Sequence, residues 1–271
     1  MNVLASVSTV RQQGGVIGGL VLALAFGWGV WAQETASPQP TPDPVLEAAK
    51  KAQEKLASWQ TQEAKEILKP VEAQAKTRPP VAQALAMALF QEKKYGDAVK
   101  VLQDAVKAAP EEAALYVSLG ELYRATNNGS EATAAYRKAK ELAEKVLVRD
   151  DKDRQARLSL ALAQLNLKEV DKAAGNLEKL LEGQEKPDPL ILYHLGVARL
   201  YQGKAQDAFD TLSKVLEANS GMAYAYYYRG LAADKLGKKD VLINDMGRFL
   251  YLAPNAPEAS KAQAIVSSAK R

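Results

Sequence analysis

Residues 113–140 read AALYVSLGELYRATNNGSEATAAYRKAK, and the glycine at 120, followed twelve residues later by the alanine at 132, sets a register that the rest of the chain keeps. A small residue returns at a spacing close to 34: Ala52, Ala86, Gly120, Ala161, Gly196 and Gly230. Twelve residues after each stands a second marker: Ala64, Ala98, Ala132, Ala173, Ala208 and, as the one departure, Leu242. Paired small residues at this period describe two helices crossing closely in every unit, because only a minimal side chain lets the backbones approach. Such a unit cannot bury its apolar face alone, so neighbouring units must stack into a solenoid.

The unit from Pro79 to Glu112 carries Leu85-Ala86, Tyr95-Gly96-Asp97-Ala98, Leu102, Ala105 and a terminating Pro110. The next repeats it with Tyr116, Leu119-Gly120, Tyr123, Ala132, Tyr136 and Ala139. Later units carry Leu192, Leu195-Gly196, Gly203, Ala208 and Leu212, then Tyr226, Gly230, Gly237, Phe249 and Pro254, with a further unit around Leu160-Ala161 and Ala173. On these residues the chain resembles the tetratricopeptide repeat family, in its exported or membrane-anchored bacterial type. The resemblance implies an all-α solenoid of about six helix-turn-helix units over residues 45–256, and residues 257–271 read as a capping helix. Helix pairs are expected near 79–110, 113–148, 154–182, 189–217 and 223–252, with no sheet.

Two departures matter. The first unit has Trp59 where a turn glycine is usual and lacks the Leu-Gly pair, so it reads as a cap. Between the third and fourth units the spacing rises from 34 to 41, which predicts one long helix from Glu131 through Val148 before the charged turn Arg149 to Arg154. Seven added residues amount to about 10 Å of helix.

The N-terminal residues 1–32 read as a signal peptide or a membrane anchor: Arg11 is the only charged side chain before Glu34 and precedes the apolar run Val16 to Ala32. Cleavage before Gln33 and retention as an anchor stay open alternatives, and both place the repeats outside the cytoplasm because the positive charge stays inside. The expected location is periplasmic or otherwise exported, or anchored in an inner membrane, with membrane contact only through an uncleaved N-terminal segment. Residues 33–44 contain Pro38, Pro40, Pro42 and Pro44 and read as a polyproline-like linker.

Composition closes off most chemistry. The 271 residues include no cysteine and a single histidine, His194, so no Cys-His pair and no two-histidine zinc helix can be written. No catalytic residue, metal ligand set or cofactor is expected. The net charge of +4 is spread among alternating Lys and Glu without a basic block, which argues against nucleic acid.

What remains is a surface. The resemblance implies that certain first-helix positions line a concave groove, and carried onto this sequence they give Leu158, Leu162 and Leu165 in the fourth unit. The fifth contributes Tyr193, Val197, Leu200 and Tyr201, and the sixth Tyr224, Tyr227 and Leu231. The corresponding early positions, among them Glu121 and Arg124, are more mixed, whereas Tyr226 and Tyr228 fall at positions that pack inside the stack. An apolar or aromatic protein or peptide segment is the expected ligand, since Tyr supplies contact area at low entropic cost. The function expected is a non-enzymatic scaffold or assembly factor of a bacterial cell envelope. Alternatives are a periplasmic holdase-type chaperone, and a small-molecule-binding protein or enzyme with its site between units.

Overall fold

The structure, a computed structural model, describes residues 43–269, and over these it is an α-solenoid. Helices α1 (Pro44–Ala57) and α2 (Thr61–Leu68) form the first pair, α3 (Pro79–Gln91) and α4 (Tyr95–Ala108) the second, α5 (Ala113–Ala125) and α6 (Gly129–Arg149) the third. Then come α7 (Arg154–Asn166) with α8 (Val170–Leu181), α9 (Pro189–Tyr201) with α10 (Ala205–Ala218), and α11 (Ala223–Lys235) with α12 (Lys239–Leu252). A last helix, α13 (Ala259–Ala269), packs on α12 and closes the stack. The expected leader and nearly all of the expected linker lie outside the described residues. Among the described residues no helix is long and apolar enough to cross a membrane.

Helix starts follow local chemistry. Asp43, Asp153 and Asp188 each place a carboxylate where it accepts a bond from a first-turn backbone N–H, of Val45, Ala156 and Leu190 respectively. Proline opens α1, α3 and α9, where its missing N–H costs nothing. Each first helix also ends alike. A left-handed residue stands at Trp59, Lys93, Asn127, Lys168, Gly203 and Gly237, and the next backbone N–H reaches back five residues to a carbonyl of the last turn. This is the Schellman arrangement, which satisfies carbonyls the helix leaves unpaired.

Packing explains both small-residue markers and reveals a third. Ala52, Ala86 and Ala161 are buried, as are Ala64, Ala98, Ala132, Ala173, Ala208 and Leu242. Sixteen residues after each first marker comes a buried large side chain: Leu68, Leu102, Tyr136, Leu177, Leu212 and Met246. Where the first marker is glycine, that chain sits directly over it. A methyl on Gly120 would lie 2.5 Å from Tyr136 Cε1, and one on Gly196 would lie 2.7 Å from Leu212 Cγ.

The first unit is a full helix pair rather than only a cap, with Ala49, Ala52, Leu56, Ala64 and Leu68 buried. Its second helix is short, and a 3-10 turn at Glu72–Gln74 completes the path to α3. The long helix is present as expected. Leu142 and Ala143 of α6 join Ala113 and Leu160 in one buried cluster, while Val148 near its end stands 88 % exposed. Most ion pairs are on the surface; the most buried among the described residues joins Arg229 on α11, whose guanidinium donates two 2.8 Å bonds, to the carboxylate of Asp245 on α12.

Candidate functional site

First helices α9 and α11 carry the aromatic residues, and the stacking of units brings them into one connected wall. Tyr228 is its hub, with ring centroids 5.9 Å from Tyr193, 6.5 Å from Tyr201 and 5.3 Å from Tyr227. Tyr224 continues it, 6.3 Å from Tyr227 and 5.4 Å from Phe249. All five pairs are edge-on or tilted, the geometry that ring quadrupoles favour. At one margin the Lys168 ammonium sits 5.0 Å from the centre of the Tyr201 ring.

The wall is polar only at its tips. Tyr224 donates a 2.5 Å bond to Glu258 Oε2, just ahead of α13. Burial raises the pKa of Tyr193, Tyr224 and Tyr228, reinforced at Tyr224 by the Glu258 charge, and it moves Tyr227 up to about 12. These phenols therefore stay protonated at physiological pH. His194, its ring 4.9 Å from that of Tyr193, has its pKa lowered to about 4 by desolvation and is neutral at physiological pH.

Of the residues expected to line the groove, Leu158, Leu162, Tyr193, Tyr224 and Leu231 are half-buried and Tyr201 is 49 % exposed. Leu165, Val197, Leu200 and Tyr227 are buried among helices and serve packing. Leu165 and Val197 belong to a buried cluster built from α7, α8 and α9, and Leu200 to one with Ala208 of α10 and Ala232 of α11. Tyr228 corrects the sequence expectation: it is half-buried and joins the wall instead of disappearing into the stack. Trp59 was not expected at the site at all, yet its ring lies 6.5 Å from that of Tyr224. Its placement depends on a tertiary contact that repeat register cannot express.

The earlier units offer Glu121 and Arg124, which form no ion pair among the described residues. Desolvation raises the Glu121 pKa. Nearby, the Tyr136 hydroxyl is buried without a geometric hydrogen-bond partner among the described residues. No group of three metal-ligating side chains occurs among the described residues.

The Tetratricopeptide repeat profile matches residues 84–146, 135–189 and 193–241, together more than half of the chain. Among solved structures, the chain is similar to TTC0263, a thermophilic repeat protein of Thermus thermophilus, at 14 % identity and a TM-score of 0.53, covering 70 % of this chain and 97 % of that one. It is also similar to a chain of the APC/C hetero-tetramer Cut9–Hcn1, at 14 % identity and a TM-score of 0.52, covering 84 % of this chain and 43 % of that one. At such identities these likenesses concern the fold alone. No curated protein matches the sequence. Repeats of this kind mediate protein–protein contacts as non-catalytic scaffolds, typically by holding a peptide or protein partner in their groove. The recurring small residues, the six matched turns and the profile match lead to one conclusion: the chain belongs to the tetratricopeptide repeat family.

Proposed function

We propose that this protein is an adaptor of a bacterial-type cell envelope whose tyrosine wall holds an apolar or aromatic segment of a protein partner. The observation that carries the reading is the connected ring series in which Tyr201 and Tyr193 meet Tyr228, and Tyr228 continues through Tyr227 to Tyr224, ending in the 49 % exposed face of Tyr201. Water penalises an exposed aromatic surface, and a few aromatic anchors can dominate an interface. The envelope assignment rests on the sequence of residues 1–44, whose apolar run and proline-rich spacer suit export and reach.

In-envelope cross-linking followed by mass spectrometry tests both parts. The expected result is one or a few dedicated partners, captured by a protein whose mature N-terminus is Gln33 or whose apolar segment remains in the membrane. Tyr193→Ala with Tyr201→Ala should weaken capture by roughly 2 kcal/mol, about 30-fold, at unchanged helical content. Broad capture of unrelated apolar segments would turn the reading towards a holdase. Undiminished capture by the double variant, together with loss on charge reversal of Glu121 and Arg124, would move the site to the early units.

A further inference from the structure

The turn of the first unit lies against the entrance to the sixth, although these segments are more than 160 residues apart in sequence. Ala57 packs on a cluster that contains Leu212, Val215, Met222 and Ala225. Ser58 fills the space over Gly221: a methyl there would lie 2.6 Å from Ser58 Oγ and 3.2 Å from Ser58 Cβ. Trp59 packs on the cluster of Ala223, Tyr227 and Phe249, with its ring 6.5 Å from Tyr224. Behind the turn, Gln91 of α3 holds it in place, donating to the Leu56 carbonyl at 2.8 Å and accepting from the Thr61 hydroxyl at 2.6 Å.

The backbone at this turn makes the contact more than incidental. Trp59 adopts φ +56°, the left-handed region that a bulky side chain occupies at a cost. At the five equivalent turns the left-handed residue is Lys93, Asn127, Lys168, Gly203 or Gly237, and every one of them is exposed. Among these six residues only Trp59 is half-buried, and it packs on the cluster of Ala223, Tyr227 and Phe249 with its ring beside Tyr224.

We infer that Trp59 is an internal occupant of an aromatic subsite at Tyr224, clasping the first unit to the sixth, and that a partner segment bearing an aromatic residue displaces it. The inference rests on the reading of the wall as a partner groove and adds the chemistry of the ligand: an indole or phenyl ring lodging beside Tyr224, where Glu258 has already engaged the phenol hydroxyl and leaves the ring for stacking. The clasp also sets a threshold, because a ligand gains only the difference between its own contacts and those of Trp59.

The absence of native cysteine makes a direct test possible. The pair Ser58→Cys and Gly221→Cys would place its Cβ atoms about 3.2 Å apart, a few tenths of an ångström inside the roughly 3.5–4.5 Å span of disulfides. Mild oxidation of the full-length double variant should join them in high yield, seen as a shifted band on a non-reducing gel. A folded protein that refuses the cross-link overturns the clasp. A random peptide phage library panned on full-length Trp59→Ala should yield peptides carrying Trp, Phe or Tyr. These should bind at least about tenfold more tightly to Trp59→Ala than to wild type, and to the reduced double-cysteine protein than to its oxidised form. Because the last comparison uses one polypeptide in two redox states, it is independent of any folding defect in Trp59→Ala. Peptides that bind wild type and Trp59→Ala equally, yet lose binding with Tyr193→Ala and Tyr201→Ala, uphold the groove and overturn the displacement. A library without binders to any form overturns groove and displacement together, and the disulfide then reports only the contact between first and sixth units.

Discussion

Gly120, Gly196 and Gly230 occupy the same place in three units, but what stands over each differs. Tyr136 presents a ring edge to Gly120 and Leu212 its branch carbon to Gly196, neither of which can retreat without moving the second helix. Over Gly230 the nearest atom is the terminal methyl of Met246, 3.1 Å from an added Cβ, and that methyl can swing away. Alanine also gains about 1 kcal/mol of helix propensity over glycine. Gly120→Ala and Gly196→Ala should therefore lose roughly 1–2 kcal/mol net, and Gly230→Ala should be near neutral. Urea unfolding of the three variants checks the order; equal losses at all three would mean that something other than close approach selects glycine. His194 allows a second prediction at this scale. Its pKa of about 4 lies below the unfolded value of 6.5, so the unfolded chain binds the proton more readily between those limits. The stabilisation from keeping it neutral is complete above pH 6.5 and is lost as pH falls towards 4. Since the ring is only half-buried, water offsets part of the penalty and the loss should be on the order of 1–2 kcal/mol. Unfolding midpoints at neutral pH and near pH 4.5 should show it in wild type and not in His194→Gln.

At the scale of elements, the six first-helix turns share one hydrogen-bonding scheme but not one residue type. Lys93 takes the left-handed conformation with φ +64° and an exposed side chain, so it gains nothing from packing that offsets the backbone cost. Lys93→Gly should accordingly raise stability by about 1 kcal/mol, as a shift in denaturation midpoint without a change in slope. Trp59→Gly should not, because the same relief is outweighed by loss of the contacts with Tyr224 and the cluster around Phe249. Stabilisation by both substitutions would show that Trp59 contributes little across the fold. The extended α6 illustrates tolerance of length: its surplus is added beyond the buried Leu142 and Ala143, so the stack continues into α7 undisturbed.

For the whole molecule, the contact between first and sixth units changes the thermodynamics expected of a solenoid. Repeats joined only to their neighbours fray from the ends, since each terminal unit lacks one interface. Here the first unit has a second interface through Ala57, Ser58 and Trp59. Hydrogen exchange should show α1 and α11 protected together in wild type, and Trp59→Ala should loosen both by more than tenfold while leaving α5 and α7 unchanged. Loosening confined to α1 would mean that the first unit frays independently. Much of this architecture was legible from residue types alone. The small residues at Ala52, Ala86, Gly120, Ala161, Gly196 and Gly230 determine a helix-pair repeat, because close backbone approach has a local sequence cost that must recur in every unit. The lengthened third unit follows from the same periodicity, and the capping helix from Ala259, Ala262, Ile265 and Val266 at helical spacing. Which aromatic side chains share a wall was decided by tertiary structure: register assigned Tyr228 to the interior and Val197 and Leu200 to the groove, and the nesting of adjacent units reversed those places. Trp59 beside Tyr224 was beyond any repeat pattern. A repeat specifies how each unit meets the next, whereas small rotations accumulated over five interfaces determine whether the first unit meets the sixth.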